Sequence, residues 1–264
     1  MDKNILSYLY ISGVFTMADK FPFSGKIYKT NSPINYVLQK GVTNTHLLVI
    51  IFSGFNSPED KIQHSYNYMR VLSPIDCHKL FILDSYGPRG CYYLGQNMSF
   101  EVETSVLSLI TSIVRRLNVD WQNIVAVGSS KGGSAALYFG LKYNFGYIIA
   151  GAPQVLLADY INKTTVETAR FILGEDNPKE NSIHLNEIIF KQLDKIVDTE
   201  IYLLSSENDW QYQIHVKPLL DEMDKHNVKY HIKIDNAMKS HGDIATYFPN
   251  FLLNLLSDFT SSFN

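Results

Sequence analysis

A chain of 264 residues, 45% hydrophobic and 19% charged, has the length and make-up of one soluble α/β domain with room for a large core. A formal net charge of −3 and the lack of any basic run exclude an electrostatic grip on nucleic acid. Two cysteines, Cys77 and Cys91, are too few for a disulfide framework, no His/Cys group has zinc spacing, and no apolar run is long enough to span a bilayer. With a start (Met1-Asp2-Lys3-Asn4) unlike a signal peptide, these features point to a cytoplasmic protein without a bound metal.

Residues 1–24 carry only weak periodicity and read as an N-terminal arm or strand. Two short strands at 26–29 and 35–39, around Asn31-Ser32-Pro33, suit an edge hairpin, so 1–40 is expected to form an arm and an edge. The run 47–52 is apolar throughout and reads as a strand buried on both faces, followed by a helix over about 58–69. A second buried strand at 80–83 leads through Asp84 into a Gly- and aromatic-rich loop over 85–95. Apolar residues at close to a 3.6 period predict a helix over 100–117, with Glu101 and Glu103 in its first turn and Arg115 and Arg116 in its last. Strands follow at 124–127, 147–150, 200–204 and 229–234, with helices at 134–142, 214–226 and 244–256. Residues 154–198 show helical stretches and no strand, and are expected to form a helical insertion or cap. The alternation implies a mostly parallel central sheet with helices on both faces, in one domain over 1–264.

The stretch Val127-Gly128-Ser129-Ser130-Lys131-Gly132-Gly133 sits between a strand and a helix and has the G-x-S-x-G form of a nucleophile elbow. A serine at the tip of so tight a turn needs neighbours two positions away that are nearly free of side chain, which Gly128 and Gly132 supply. A serine hydroxyl also needs a base, usually an imidazole oriented by a carboxylate. Asp209 and His241 follow Ser130 in the chain order such sheets use, each after the carboxyl end of its strand. Glu207 and Asp243 are the rival acids, and Asp243 also suits a helix cap.

The oxyanion of an acyl-transfer intermediate needs two backbone N–H donors, and Lys131 and Phe55 are the candidates, with Gly54 allowing close approach. The Lys131 side chain either extends into solvent or, with Arg89, meets an anionic group of a substrate. His64 is read on a helix, either on its surface or approaching the site from the oxyanion side. The loop bearing Tyr92, together with Trp210, offers stacking surfaces for a sugar, with packing as the alternative role. The glycines lack both phosphate-loop spacings, so nucleotide binding is disfavoured.

The elbow from Val127 through Tyr138, with Ser206-Glu207-Asn208-Asp209-Trp210, Ser240-His241-Gly242 and Gly90-Cys91-Tyr92-Tyr93-Leu94-Gly95, resembles a group of α/β-hydrolase-like bacterial polysaccharide O-acetyltransferases. The group includes meningococcal-type capsule enzymes and the glycan-acetylating component of the accessory Sec system. The likeness runs over about 46–250 in element order and is specific in its letters only at the elbow. It implies an α/β-hydrolase-like fold and acetyl transfer from acetyl-CoA, through Ser130, to a hydroxyl of a capsular or other surface polysaccharide. An esterase or deacetylase using the same three residues, and a non-catalytic subunit of a glycan or secretion assembly, stand as alternatives. A homo-oligomer is compatible with the sequence.

Overall fold

The computed structural model describes residues 25–55 and 64–262. The expected arm over 1–24 and the 58–63 part of the expected helix lie outside the described residues. The strands β1 (Lys26–Tyr28), β2 (Ile34–Gln39), β3 (Leu48–Phe52), β4 (His78–Ile82), β5 (Ile124–Ser129), β6 (Tyr147–Gly151), β7 (Glu200–Ser205) and β8 (Tyr230–Ile234) form one sheet. Their order is β1-β2-β4-β3-β5-β6-β7-β8. The β1–β2 hairpin lies at one edge and β2 runs antiparallel to β4, while β3 to β8 are all parallel.

The helices are α1 (Glu101–Leu117), α2 (Lys131–Lys142), α3 (Leu157–Thr164), α4 (Val166–Leu173), α5 (Lys179–Glu187), α6 (Lys217–Lys225) and α7 (Ile244–Ser262). They cover both faces because the central strands are apolar on both. Leu48, Ile50 and Phe52 of β3 join α1, α2 and the 154–198 insertion in one cluster. Val49 and Ile51 join α7 in the other, with Tyr68, Met69 and Leu72. Each side chain so buried contributes about 1.5–3 kcal/mol.

Two expectations change. Residues 64–67 have no regular structure and 68–74 form turns, so His64 is not on a helix. The helix expected over 214–226 starts as a widened turn at Tyr212–Val216 and becomes α-helical at Lys217. His78 is the first residue of β4, and its Nδ1 accepts the Gly41 N–H at 3.0 Å.

The chain runs outward from β3 to β4 and returns to β5 on the other side of β3, so the strand order reverses between β3 and β5. Open α/β sheets bind ligands in the crevice at the carboxyl ends of strands beside such a reversal. Ser53, Ser130, Gln154, Asp209 and His241 all follow carboxyl ends of strands at this edge.

Candidate active site

Ser130 sits between β5 and α2 with φ 51° and ψ −125°, a conformation that costs an L-residue about 1–3 kcal/mol. The surroundings impose it. A Cβ on Gly128 would lie 2.2 Å from the carbonyl of Gly132, and one on Gly132 would lie 2.5 Å from the Phe52 carbonyl oxygen. Only glycine at both places lets α2 start against β5 and β3. The Ser130 N–H donates to the Gly151 carbonyl at 2.8 Å, anchoring the turn to the end of β6.

The structure brings Ser130, His241 and Asp209 together. His241 Nε2 lies 2.9 Å from Ser130 Oγ, and His241 Nδ1 lies 2.8 Å from Asp209 Oδ2. Asp209 is 3% exposed, and its Oδ1 accepts the Gln211 N–H at 2.9 Å. A carboxylate on Nδ1 leaves Nε2 free to accept the serine proton. The rival acids have other work. Asp243 accepts the N–H groups of Lys239 (2.7 Å) and Ser240 (3.0 Å) in a capping box, which holds its carboxyl below the usual range. Glu207 is exposed and accepts from Asn236 at 3.3 Å.

The acid and base loops are tied to each other. Ser206 Oγ donates to the Met238 carbonyl (2.7 Å), Asn236 Oδ1 accepts the Glu207 N–H (3.1 Å), and Asn208 Nδ2 donates to the Asn236 carbonyl (2.8 Å). Asn236→Ala should cost about 1 kcal/mol of stability, the worth of such bonds. It should also lower kcat several-fold with little change in KM. Chemical denaturation with steady-state kinetics checks both.

No protein-family model and no curated protein matches the chain. Among solved structures, the chain is similar to the capsule O-acetyltransferase of Neisseria meningitidis serogroup A in complex with caged gadolinium. The identity is 24% and the TM-score 0.73, over 88% of this chain and 93% of that one. A histidine-to-alanine mutant of that enzyme in complex with CoA matches at 23% identity and TM-score 0.72, over 88% and 94%. A fluorophosphonate-binding serine hydrolase of Staphylococcus aureus matches at 11% identity and TM-score 0.64, over 90% and 98%. The chain has an α/β-hydrolase fold. The Glycosylation Associate Protein complex from Streptococcus agalactiae shares it at 20% identity and TM-score 0.69, over 90% of this chain and 46% of that one. The capsule and glycosylation proteins correspond to the group that the elbow sequence resembles.

In an α/β-hydrolase the oxyanion donors come from the residue after the nucleophile and from a loop following a neighbouring strand. Lys131 opens α2, where first-turn N–H groups have no helical acceptor. Phe55 follows β3, and its ring centroid is 5.4 Å from the Lys131 ammonium, so the side chains of the two candidate residues meet. The Gly54 N–H is taken by Asn67 Oδ1 at 2.8 Å.

The Lys131 side chain does neither thing expected of it. It is fully buried, and Nζ pairs with Asp84 Oδ2 at 2.7 Å. Asp84 also accepts the Cys91 N–H (2.9 Å) and the Tyr93 N–H (3.3 Å). Lys131 therefore neither reaches solvent nor offers a free charge to a substrate. Gly90, at φ 92°, makes room for the pair, since a Cβ there would lie 2.7 Å from Asp84 Oδ2. His64 is half-buried and hydrogen-bonded to the Asp84 backbone, and burial holds its pKa below the ordinary value.

Tyr92 is 2% exposed and meets Phe55 edge-on at 5.5 Å, so it packs against that ring and offers no face to a sugar. The Arg89 guanidinium lies over Phe55, 5.1 Å from the ring centroid. Trp210 is 48% exposed beside Asp209 and stacks on Tyr160 at an interplanar angle of 15°. The Lys163 ammonium also lies over the Trp210 ring, 5.6 Å from the centroid. Among the described residues, no three His, Cys, Asp or Glu side chains are grouped to hold a metal, and no helix is long and apolar enough to cross a membrane.

Two buried residues at the site escape sequence reasoning. Gln154, fully buried after β6, donates from Nε2 to Ser130 Oγ at 2.8 Å. His215 is 1% exposed against Tyr160, and burial and the nearby His241 lower its pKa to about 4, while Asp159 and Asp209 oppose the shift. Between the ordinary 6.5 and about 4, the unfolded chain binds a proton that the folded chain refuses. His215 therefore lets full stability stand above pH 6.5 and erodes it as pH falls toward 4, by about 3 kcal/mol. His215→Gln should flatten that part of the stability profile, as urea denaturation across pH 7 to 4.5 would show.

Proposed function

We propose that the protein is a serine-dependent O-acetyltransferase whose donor is acetyl-CoA and whose acceptor is a hydroxyl of a capsular or other surface polysaccharide. The observation that carries the reading is the Ser130–His241–Asp209 chain at 2.9 and 2.8 Å. Ser130 Oγ attacks the thioester carbonyl as its proton passes to His241 Nε2, and Asp209 steadies the imidazolium. The backbone N–H groups of Lys131 and Phe55 meet the oxyanion. The CoA sulfur leaves and recovers that proton, so acetyl-Ser130 and CoA–SH are formed. A sugar hydroxyl then gives its proton to His241 and attacks the ester, and Ser130 leaves with its proton restored.

The donor and acceptor classes are supported by the fold shared with the meningococcal capsule O-acetyltransferase, one structure of which holds CoA. Trp210, half-exposed, is the candidate contact for a sugar ring, and Arg89 for an anionic part of the donor. The same reading makes the protein cytoplasmic, with access to acetyl-CoA. A second reading, an ester hydrolase using water as acceptor, has the support of the serine hydrolase that shares the fold. Release of CoA from acetyl-CoA, measured with and without candidate polysaccharides, tests the two. Release that depends on glycan and leaves O-acetyl groups on it supports the transferase. Release at the same rate without glycan, yielding acetate, supports the hydrolase.

A further inference from the structure

Ser130, His241 and Asp209 are three members of a larger closed ring of hydrogen bonds. From Asp209 Oδ1 the ring continues to the Gln211 N–H at 2.9 Å. The Gln211 side chain then accepts at Oε1 from Gln154 Nε2 at 2.8 Å, and Gln154 Nε2 closes the ring on Ser130 Oγ at 2.8 Å. Gln154 is itself held by Ser134. Its backbone N–H donates to Ser134 Oγ at 3.0 Å, and Ser134 Oγ contacts Gln154 Oε1 at 3.4 Å. Both glutamines are buried, at 0% and 2% exposure.

A hydroxyl has one proton and two lone pairs, and a carboxamide nitrogen only donates. With Gln154 donating to Ser130 Oγ, a lone pair of that oxygen is occupied and the serine proton is left for His241 Nε2. His241 must then carry its own proton on Nδ1, facing Asp209. One amide thus orders every proton in the chain.

We propose that Gln154 is a further catalytic residue, the second hydrogen-bond partner of the nucleophile, which directs the Ser130 proton to His241 and stabilises charge on Oγ. The proposal rests on the reading of Ser130 as nucleophile. During attack, Oγ gives its proton to His241 while Gln154 keeps its own proton and shares it. When Oγ leaves the acyl group in the second half-reaction, the same N–H meets the same developing charge. Gln211 holds Gln154 in register and couples it to the acid through its backbone.

The test uses Gln154→Met, similar in volume and without a donor, and Gln154→Glu, similar in shape and carrying a carboxylate that accepts. Labelling by a fluorophosphonate reports attack by the serine, since Oγ bonds to phosphorus as fluoride leaves, without needing the natural acceptor. Gln154→Met should slow labelling by roughly 10- to 100-fold, as expected for losing a hydrogen bond to a charge-bearing atom. Probe saturation and thermal melting should change little. Gln154→Glu should label more slowly still, because its carboxylate captures the serine proton. Wild-type labelling rates in both folded variants, with Ser130→Ala unlabelled, would overturn the role of Gln154 and leave Ser130 as nucleophile. Labelling of Ser130→Ala at the wild-type rate would instead overturn the nucleophile, and this proposal with it.

Discussion

Replacing Ser130 by alanine is expected to lower acetyl transfer by about 10⁴- to 10⁶-fold, the usual cost of removing a nucleophile that works with its base as a unit. Among the described residues, the hydroxyls flanking Ser130 on its own turn have other partners. The Ser129 hydroxyl is engaged by Tyr68, and Ser134 Oγ donates to the Ser130 carbonyl at 3.2 Å. The fold should hold, because alanine keeps the Cβ and the Ser130 N–H bond to Gly151 is made by the backbone, while the loss of the buried Gln154 Nε2 bond to Oγ should cost about 1–3 kcal/mol of stability. Steady-state kinetics and a thermal melt on the same preparation check this. A folded variant with more than a hundredth of wild-type activity would contradict it.

Asp209→Asn should cost nearly as much, about 10⁴-fold in kcat, for a different reason. Its side-chain oxygen can still accept the Gln211 N–H at the Oδ1 position, so the loop should hold. At the other position an amide N–H would face His241 Nδ1, where a carboxylate oxygen now sits at 2.8 Å. The imidazole would then carry its proton on Nε2 and could not accept one from Ser130. Asp209→Ala should be as slow and also less stable, since it strands the Gln211 N–H in a buried place. Comparing kcat and urea midpoints of the two variants separates the tautomer effect from the structural one.

Much of this site was legible in the sequence because it depends on local sterics. The collisions that forbid a side chain at positions 128 and 132 involve the elbow and the end of β3, and they leave a glycine signature. The central strands were legible from unbroken apolar runs. Asp209 and His241 could be picked out because each follows a strand end. What the sequence hid depends on partners far along the chain. Lys131 at a helix start reads as a solvent-facing cation until Asp84, 47 residues earlier, is seen beneath it. Gln154 has no local signal at all, since its role comes from Ser130 and Gln211, 24 and 57 residues away. Chain order placed Glu207, Asp209 and Asp243 near the same edge, and only the capping box and Asn236 network distinguished their roles. A helix was expected across 58–69, but its described part, from His64 onward, is irregular.

The most direct measurement is mass spectrometry of the protein after brief mixing with acetyl-CoA and no acceptor, followed by acid quench and peptide mapping. One acetyl group on the peptide containing Ser130, lost when a competent polysaccharide is added and absent from Ser130→Ala, is the predicted result. Acetyl transfer that proceeds at full rate in Ser130→Ala, or an acetyl group carried by another residue and passed on to the glycan, would contradict the account.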